Sequence, residues 1–165
     1  MYVPMVAALM LILPLASVLA QLLSGAHAAP HAAEIMPVIA KWYVFWAMGV
    51  RLFLAGLRQT LQPAYTAQTI LGLKGTECLL LVRELGFANL AMGSVGLVSL
   101  VVPDWVIPAA MLGGIYYGLA GINHIRQKHR NKLETVALIS DLFASYVLIA
   151  CCVAAVLSGT SGGRL

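Results

Sequence analysis

The chain has 165 residues, of which 61% are hydrophobic and 10% are charged, and its formal net charge is +4. Soluble domains carry about 25% charged residues, and a soluble fold of this length has too little interior to bury so much apolar surface. The composition therefore excludes an ordinary soluble domain and favours an all-α bundle of membrane-spanning helices. Nucleic-acid binding is not expected, because lysine and arginine are not interleaved with aromatic residues in a basic patch.

The first apolar run, residues 4–23, is about as long as a bilayer core requires. An Ala-His-Ala sequence after it resembles a signal-peptide cleavage site. However, no lysine or arginine precedes the run, and the run exceeds the roughly 7–15 residues of a signal-peptide core. We therefore predict that residues 1–24 form a retained transmembrane helix. Residues 25–40 are predicted to be an extracytoplasmic linker, because Pro30 and Pro37 interrupt any long helix there.

Four further spans are predicted to form a bundle over residues 41–158, followed by a flexible tail at residues 159–165. The spans cover residues 41–61, 78–102, 105–125 and 133–157. Between them we expect a partly helical connector at residues 62–76, a tight turn at Pro103-Asp104 and a basic loop at residues 126–132. The third of these spans contains four glycines whose spacing favours close helix contact in lipid.

Lysine and arginine are distributed unequally between the two ends of this bundle. One end carries Arg58, Lys74, Arg126, Lys128, Arg130 and Lys132, and the other carries Lys41 and Arg164. Cytoplasmic loops hold the excess of basic residues. We therefore expect a multi-pass protein of the plasma (inner) membrane of a bacterium, with a cytoplasmic amino terminus and an extracytoplasmic carboxyl terminus.

Charged residues recur seven positions apart within three of the predicted helices. The pairs are Arg51 and Arg58, Glu77 and Glu84, and Glu134 and Asp141. Seven residues make nearly two helical turns, so both members of a pair lie on one face, about 10 Å apart. Because ionisable groups are costly in lipid, we expect these stripes to face one another in the cytoplasmic half of the bundle. The predicted cluster contains Arg51, Arg58, Glu84, Glu134 and Asp141, bordered by Asn89, Asn123 and His124.

Three roles are open for this cluster: ion pairs that set helix register, a ligand or substrate site, or a proton or ion path. His124 could be an axial ligand of haem or chlorophyll, although a histidine between a helix end and a basic loop is more often interfacial. His27 and His31 have a metal-binding spacing, but Pro30 disrupts that geometry and no third ligand is near. We predict no metal site and no catalytic motif. The three cysteines are predicted to be unpaired: Cys78, Cys151 and Cys152.

Residues 42–157 resemble the DoxX-like group of small four-helix membrane proteins. The similar segments are Arg51-Leu-Phe-Leu-Ala-Gly-Leu-Arg58, Glu84-Leu-Gly-Phe-Ala-Asn-Leu-Ala-Met-Gly93 and the basic loop before the last helix. The resemblance implies a four-helix bundle with Arg51 and Glu84 in its polar interior, preceded here by one additional helix. Some members of that group resemble a subunit of a thiosulfate:quinone oxidoreductase, and others are similar to accessory or maturation proteins of redox systems.

Three functions are compatible with these features. The first is an accessory or structural subunit of a larger membrane complex, such as an electron-transfer complex. The second is a binding or redox protein for a lipid-soluble molecule such as a quinone, anchored by Arg51, Glu84 and Asp141. The third is a small proton- or ion-coupled transporter. The expected partners are the lipid bilayer and other membrane subunits or a second copy of the chain, and a quinone is the possible cofactor.

Overall fold

The computed structural model of the chain describes residues 2–24 and 32–162, with side chains described for residues 2–24 and 35–159. All of the regular secondary structure in these ranges is helical. Among the described residues, five helices are long and apolar enough to cross a membrane, and we name them α1 to α5 in chain order: Tyr2–Ser24, Ile35–Leu61, Cys78–Val98, Pro103–Arg126 and Lys132–Gly159. The predicted all-α fold with five transmembrane helices is confirmed, and the chain is a multi-pass membrane protein.

Two predicted boundaries are wrong, because helices continue into segments expected to be linker or tail. The helical segment that leads into α2 begins at Ala32, before the span itself, and contains Pro37. A membrane helix tolerates such a proline because neighbouring groups compensate the lost backbone hydrogen bond, and the apolar residues around Pro37 lengthen the span. Helix α5 continues to Gly162, past the start of the predicted tail. His27, Pro30 and His31 lie outside the described residues, as does the end of the chain beyond Gly162.

A π-helical segment, Val44–Val50, interrupts α2. Such segments hydrogen-bond over five residues instead of four and occur frequently at functional sites. This segment ends directly before Arg51, and its Ala47 carbonyl accepts a hydrogen bond of 2.6 Å from the Tyr117 hydroxyl on α4. The irregular turn therefore couples α2 to α4 beside the arginine. The connector between α2 and α3 contains another such segment, Tyr65–Ile70.

Helix α2 is the central helix and contacts the other four. It packs closely against α3, and the two backbones meet at Gly49 and Gly96, among other positions. A β-carbon on Gly49 would lie 2.8 Å from the carbonyl carbon of Gly96, and a β-carbon on Gly96 would lie 2.7 Å from the α-carbon of Gly49. Only glycine allows this approach, and close backbone packing of this kind is a principal source of helix association in lipid.

On its other side, α2 packs against the antiparallel pair formed by α4 and α5. The largest side chains of this core, Met48, Tyr117 and Leu148, are almost fully inaccessible to solvent. Helix α1 is fastened to α2 by two indole hydrogen bonds, from Trp42 to the Gln21 side-chain oxygen at 2.7 Å and from Trp46 to the Ser17 hydroxyl at 3.0 Å. The polar residues described below lie where α2, α4 and α5 meet.

Candidate functional site

A buried ion pair joins α2 to α5. Arg51 Nη2 lies 2.7 Å from Asp141 Oδ1, and the same nitrogen donates a hydrogen bond of 2.9 Å to the Ser140 hydroxyl. The guanidinium also lies over the ring of Tyr117, 4.8 Å from its centroid. Arg51 and Asp141 are both less than a tenth exposed. At this depth an unpaired charge would be very costly, so each of the two charges depends on the other.

His124 extends the polar site towards the basic loop, because its ring lies between two carboxylates of α5. Its Nδ1 is 3.5 Å from Glu134 Oε1, and its Nε2 is 3.9 Å from Asp141 Oδ2. Glu134 is only 2% exposed. Neither His124 Nδ1 nor Glu134 Oε1 has a hydrogen-bond partner among the described residues. We name Arg51, His124, Glu134 and Asp141 the buried network.

The basic loop fixes the helix ends that carry His124 and Glu134. The Asn131 side-chain oxygen caps α5 by accepting a hydrogen bond of 2.9 Å from the Glu134 backbone N–H, and its amide nitrogen donates to the Ile70 carbonyl at 2.8 Å. Arg130 donates to the backbone carbonyl of His124 at 2.7 Å. A glutamate at this position of a helix commonly turns back towards the cap. Here the Glu134 carboxylate is instead turned into the bundle.

Four of the eight predicted cluster residues lie outside the buried network. Arg58 is exposed and lies over the ring of Tyr65, 3.7 Å from its centroid. Asn89 is buried but donates its hydrogen bond of 2.7 Å to Gln59, which is a separate contact between α3 and α2. Glu84 and Asn123 are exposed on the outer faces of α3 and α4.

The expectation that Arg58, Glu84 and Asn123 belong to the polar interior is therefore wrong. On α3, Gly86 packs against α2. Two residues correspond to about 200° around a helix, so Glu84 points to the opposite side. The seven-residue spacing places residues on one stripe, but it does not determine which way the stripe faces. The implied interior position of Glu84 in a DoxX-like bundle is wrong for the same reason.

Sequence reasoning missed three residues that interact with Arg51: Tyr2 at the start of α1, Tyr117 on α4 and Ser140 on α5. Tyr117 lies seven residues before His124 and therefore on the same stripe of α4, a spacing that would have identified it. Ser140 precedes Asp141 and receives the second hydrogen bond of the guanidinium nitrogen. This contact follows only from the orientation of Arg51, which no spacing predicts.

The described residues contain no group of three or more His, Cys, Asp and Glu side chains that could hold a metal ion. Both ring nitrogens of His124 face carboxylates inside the bundle, which argues against axial ligation of a haem or chlorophyll. All three cysteines are free. An open apolar groove lies on the outer face of α5, between Ser145 and Leu157, and none of the buried network lines it.

The fold and its interior define a class: a small multi-pass membrane bundle with a buried ion network and a glycine-mediated seam between two helices. The model of DUF6790, a family of unknown function, matches residues 7–160. The chain belongs to this family. No curated protein and no solved structure matches the chain. The resemblance to the DoxX-like group is tested by none of these findings and stays a prediction.

Proposed function

We propose that this protein is an accessory or structural subunit of a larger membrane assembly, and that it contacts its partner through the outer face of α3. The observation that carries the proposal is the exposed carboxylate of Glu84. In addition, α3 packs mainly against α2, and less than a quarter of the most apolar part of α3 is buried inside the bundle. Most of the α3 surface is therefore available to lipid or to another protein.

Glu84 lies at a depth where lipid is a poor environment for a charge. Helix α3 has 21 residues, a length of about 31 Å, which matches the hydrocarbon core of a bilayer. Glu84 is six residues after Cys78, about 9 Å inside that helix end. An acidic side chain within a span is rare and faces a partner, the bundle interior or a watery cavity. Here the interior is excluded, because Glu84 points away from α2.

The residues around Glu84 form a seam that suits a second helix. Leu81, Glu84, Ala88 and Ala91 are all exposed and follow one another at intervals of three, four and three residues, which places them on one face. We name them the α3 outer stripe. The two alanines permit close approach of another helix, and Glu84 offers a hydrogen-bond acceptor. The complementary partner is a transmembrane helix of another subunit with a cationic or hydrogen-bond-donating side chain.

The positions of Arg51, Glu84 and Asp141 give less support to a quinone-binding protein or to an ion-coupled transporter. A quinone site was expected to use Arg51, Glu84 and Asp141 as anchors, but Arg51 and Asp141 bind each other and Glu84 lies on the far side of α3. A transmembrane ion path would have to pass the Arg51 guanidinium, whose permanent charge repels cations. An electron-transfer role for the assembly rests only on the DoxX-like resemblance.

In-membrane photo-crosslinking tests the proposal. A photoreactive residue replaces Leu81 on the α3 outer stripe or, as the control, Leu119 on α4. The two leucines are similarly exposed, at 67% and 64%. We expect a discrete product with a different membrane protein from position 81 and lipid adducts alone from position 119. The product should weaken when Glu84→Leu removes the acceptor.

Two outcomes would contradict the proposal. A product whose mass corresponds to two copies of the chain would replace the accessory role by self-association. Equal products from positions 81 and 119 would show that the α3 outer stripe has no preferred partner. Native mass spectrometry of the protein extracted with its own lipids identifies the partner and distinguishes these cases.

A further inference from the structure

The buried network contains one more negative charge than positive charge when His124 is neutral. Arg51 is opposed by Asp141 at 2.7 Å, while the second carboxylate, Glu134, has no described cation beside it except the imidazole. Arg130 from the loop does not supply the missing charge, because its described hydrogen bonds go to backbone carbonyls at the end of α4. The site is therefore one positive charge short of neutrality.

The remaining groups around the network do not change this balance. Tyr117 and Tyr116 on α4 and Tyr2 on α1 are neutral hydroxyl-bearing side chains near Arg51 and Asp141. Helix α3 faces this region with the neutral Asn89, because its charged Glu84 is turned outwards. No described element thus contributes a second cation to the interior around Glu134.

Three buried atoms of the network have no hydrogen-bond partner among the described residues, namely Arg51 Nη1, His124 Nδ1 and Glu134 Oε1, and the last two mark the position where the missing charge belongs. His124 Nδ1 and Glu134 Oε1 are 3.5 Å apart, both residues are at least nine-tenths buried, and neither atom has a hydrogen-bond partner. Buried polar atoms in native proteins are almost always satisfied. A proton between these two atoms satisfies both at once, because it turns one into a donor for the other.

We propose that His124 and Glu134 together bind a single exchangeable proton, and that this site is a proton sensor coupled to the Arg51–Asp141 pair. The proton comes from water at the basic loop and forms one N–H or O–H bond. No other bond changes and no electron is transferred. With the proton bound the network is neutral: a proton on His124 gives two positive and two negative charges, and a proton on Glu134 leaves one of each. This proposal is independent of the assembly through α3, so either can fail alone.

The imidazole of His124 couples the protonation state of the site to the Arg51–Asp141 ion pair. His124 Nε2 lies 3.9 Å from Asp141 Oδ2, the oxygen that Arg51 does not bind. Loss of the proton leaves two carboxylates around one guanidinium and removes the attraction between the His124 ring on α4 and the Glu134 and Asp141 carboxylates, which both lie on α5. The expected structural response is an opening of α4 from α5 at the basic loop.

The test uses the full chain in lipid nanodiscs and follows both partners across a pH titration. Nitrogen-15 NMR reports the protonation of the His124 ring, and difference infrared spectroscopy reports the carboxylic-acid form of Glu134. At neutral pH we expect one of these two protonated forms, and raising the pH should remove it in a single step. Glu134→Gln should abolish that step, whereas Glu77→Gln, which alters an exposed glutamate, should leave it unchanged.

Two results would overturn the proposal. One is a neutral His124 ring together with an ionised Glu134 at neutral pH in the wild-type protein. This result does not depend on whether any variant folds. The other is a His124 step that Glu134→Gln leaves in place at the same pH, which would show that the ring titrates without its partner. His129→Gln, at an exposed histidine, verifies the assignment of the ring signal.

Discussion

Removal of Arg51 should destabilise the protein strongly, because it leaves Asp141 buried without its cation. We consider Arg51→Met, which preserves much of the length of the side chain but removes the charge and all hydrogen-bond donors. The variant loses the 2.7 Å bond to Asp141, the 2.9 Å bond to Ser140 and the contact with the Tyr117 ring. Ser140 retains its own hydrogen bond to the Ala137 carbonyl, so Asp141 is the residue that becomes unsatisfied.

The expected loss is about 3 kcal/mol in the free energy of unfolding. Breaking a buried ion pair in a soluble protein costs about 3–5 kcal/mol. In membrane proteins single interhelical hydrogen bonds reach at most about 1.7 kcal/mol, because the unfolded state also finds polar partners. A charge-assisted bond is about twice as strong as a neutral one, and doubling the membrane value gives about 3 kcal/mol. The membrane-based estimate therefore agrees with the lower end of the range for buried ion pairs in soluble proteins.

Reversible unfolding by sodium dodecyl sulfate in mixed micelles measures this loss, and a double-mutant cycle assigns it to the pair. Because Asp141→Asn removes the charge left behind by Arg51→Met, the double variant should lose less stability than the sum of the two single variants. Arg83→Met, at an exposed arginine on α3, is the matched control and should change stability by no more than about 0.5 kcal/mol. An Arg51→Met loss no larger than that of the control, or strictly additive effects, would refute the reasoning.

Two further predictions concern the contacts that α2 makes on its two sides. Gly49→Ala should destabilise the protein by about 1–3 kcal/mol, because the new methyl group would meet the Gly96 backbone. A β-carbon on Gly159 would meet nothing within 4 Å, so Gly159→Ala should cause no loss of stability in the same unfolding assay. Equal losses in the two variants would contradict the close packing of α2 against α3. Tyr117→Phe should cost about 1–3 kcal/mol, because it leaves a buried carbonyl of α2 without its donor. Tyr146→Phe, at a ring that is 75% exposed, should be neutral, and a similar loss in both would disprove the role of the hydrogen bond.

The helices themselves were predictable because lipid imposes their length and composition. Runs of about 20 apolar residues are required to cross a bilayer, and the described part of the chain contains five of them. The boundaries were less predictable. Pro37 suggests a helix break in an aqueous linker, but in a membrane segment the helix continues through it. The start of α2 therefore depends on surroundings that a local sequence rule does not include.

The sequence could also identify which residues share a helical face, and this led to part of the buried network. Glu134 and Asp141 lie on one stripe of α5, and both reach His124. The same rule placed Glu84 incorrectly. In a soluble helix the polar face would point to water, but in lipid the outer face is as apolar as the core, so composition does not reveal the rotation of a helix.

The sequence by itself determined the class of this protein, the number of its membrane spans and the stripes on which its charges lie. These properties follow from the length of each apolar run and from helical periodicity. Only the tertiary structure decided which stripes face each other. The close packing of Gly86, Gly93 and Gly96 against α2 fixes the face of α3 that is buried, and Glu84 lies on the opposite face. The packing of α4 and α5 against α2 brings Arg51, His124, Glu134 and Asp141 together, because interhelical contacts depend on the shapes of surfaces that are distant in sequence.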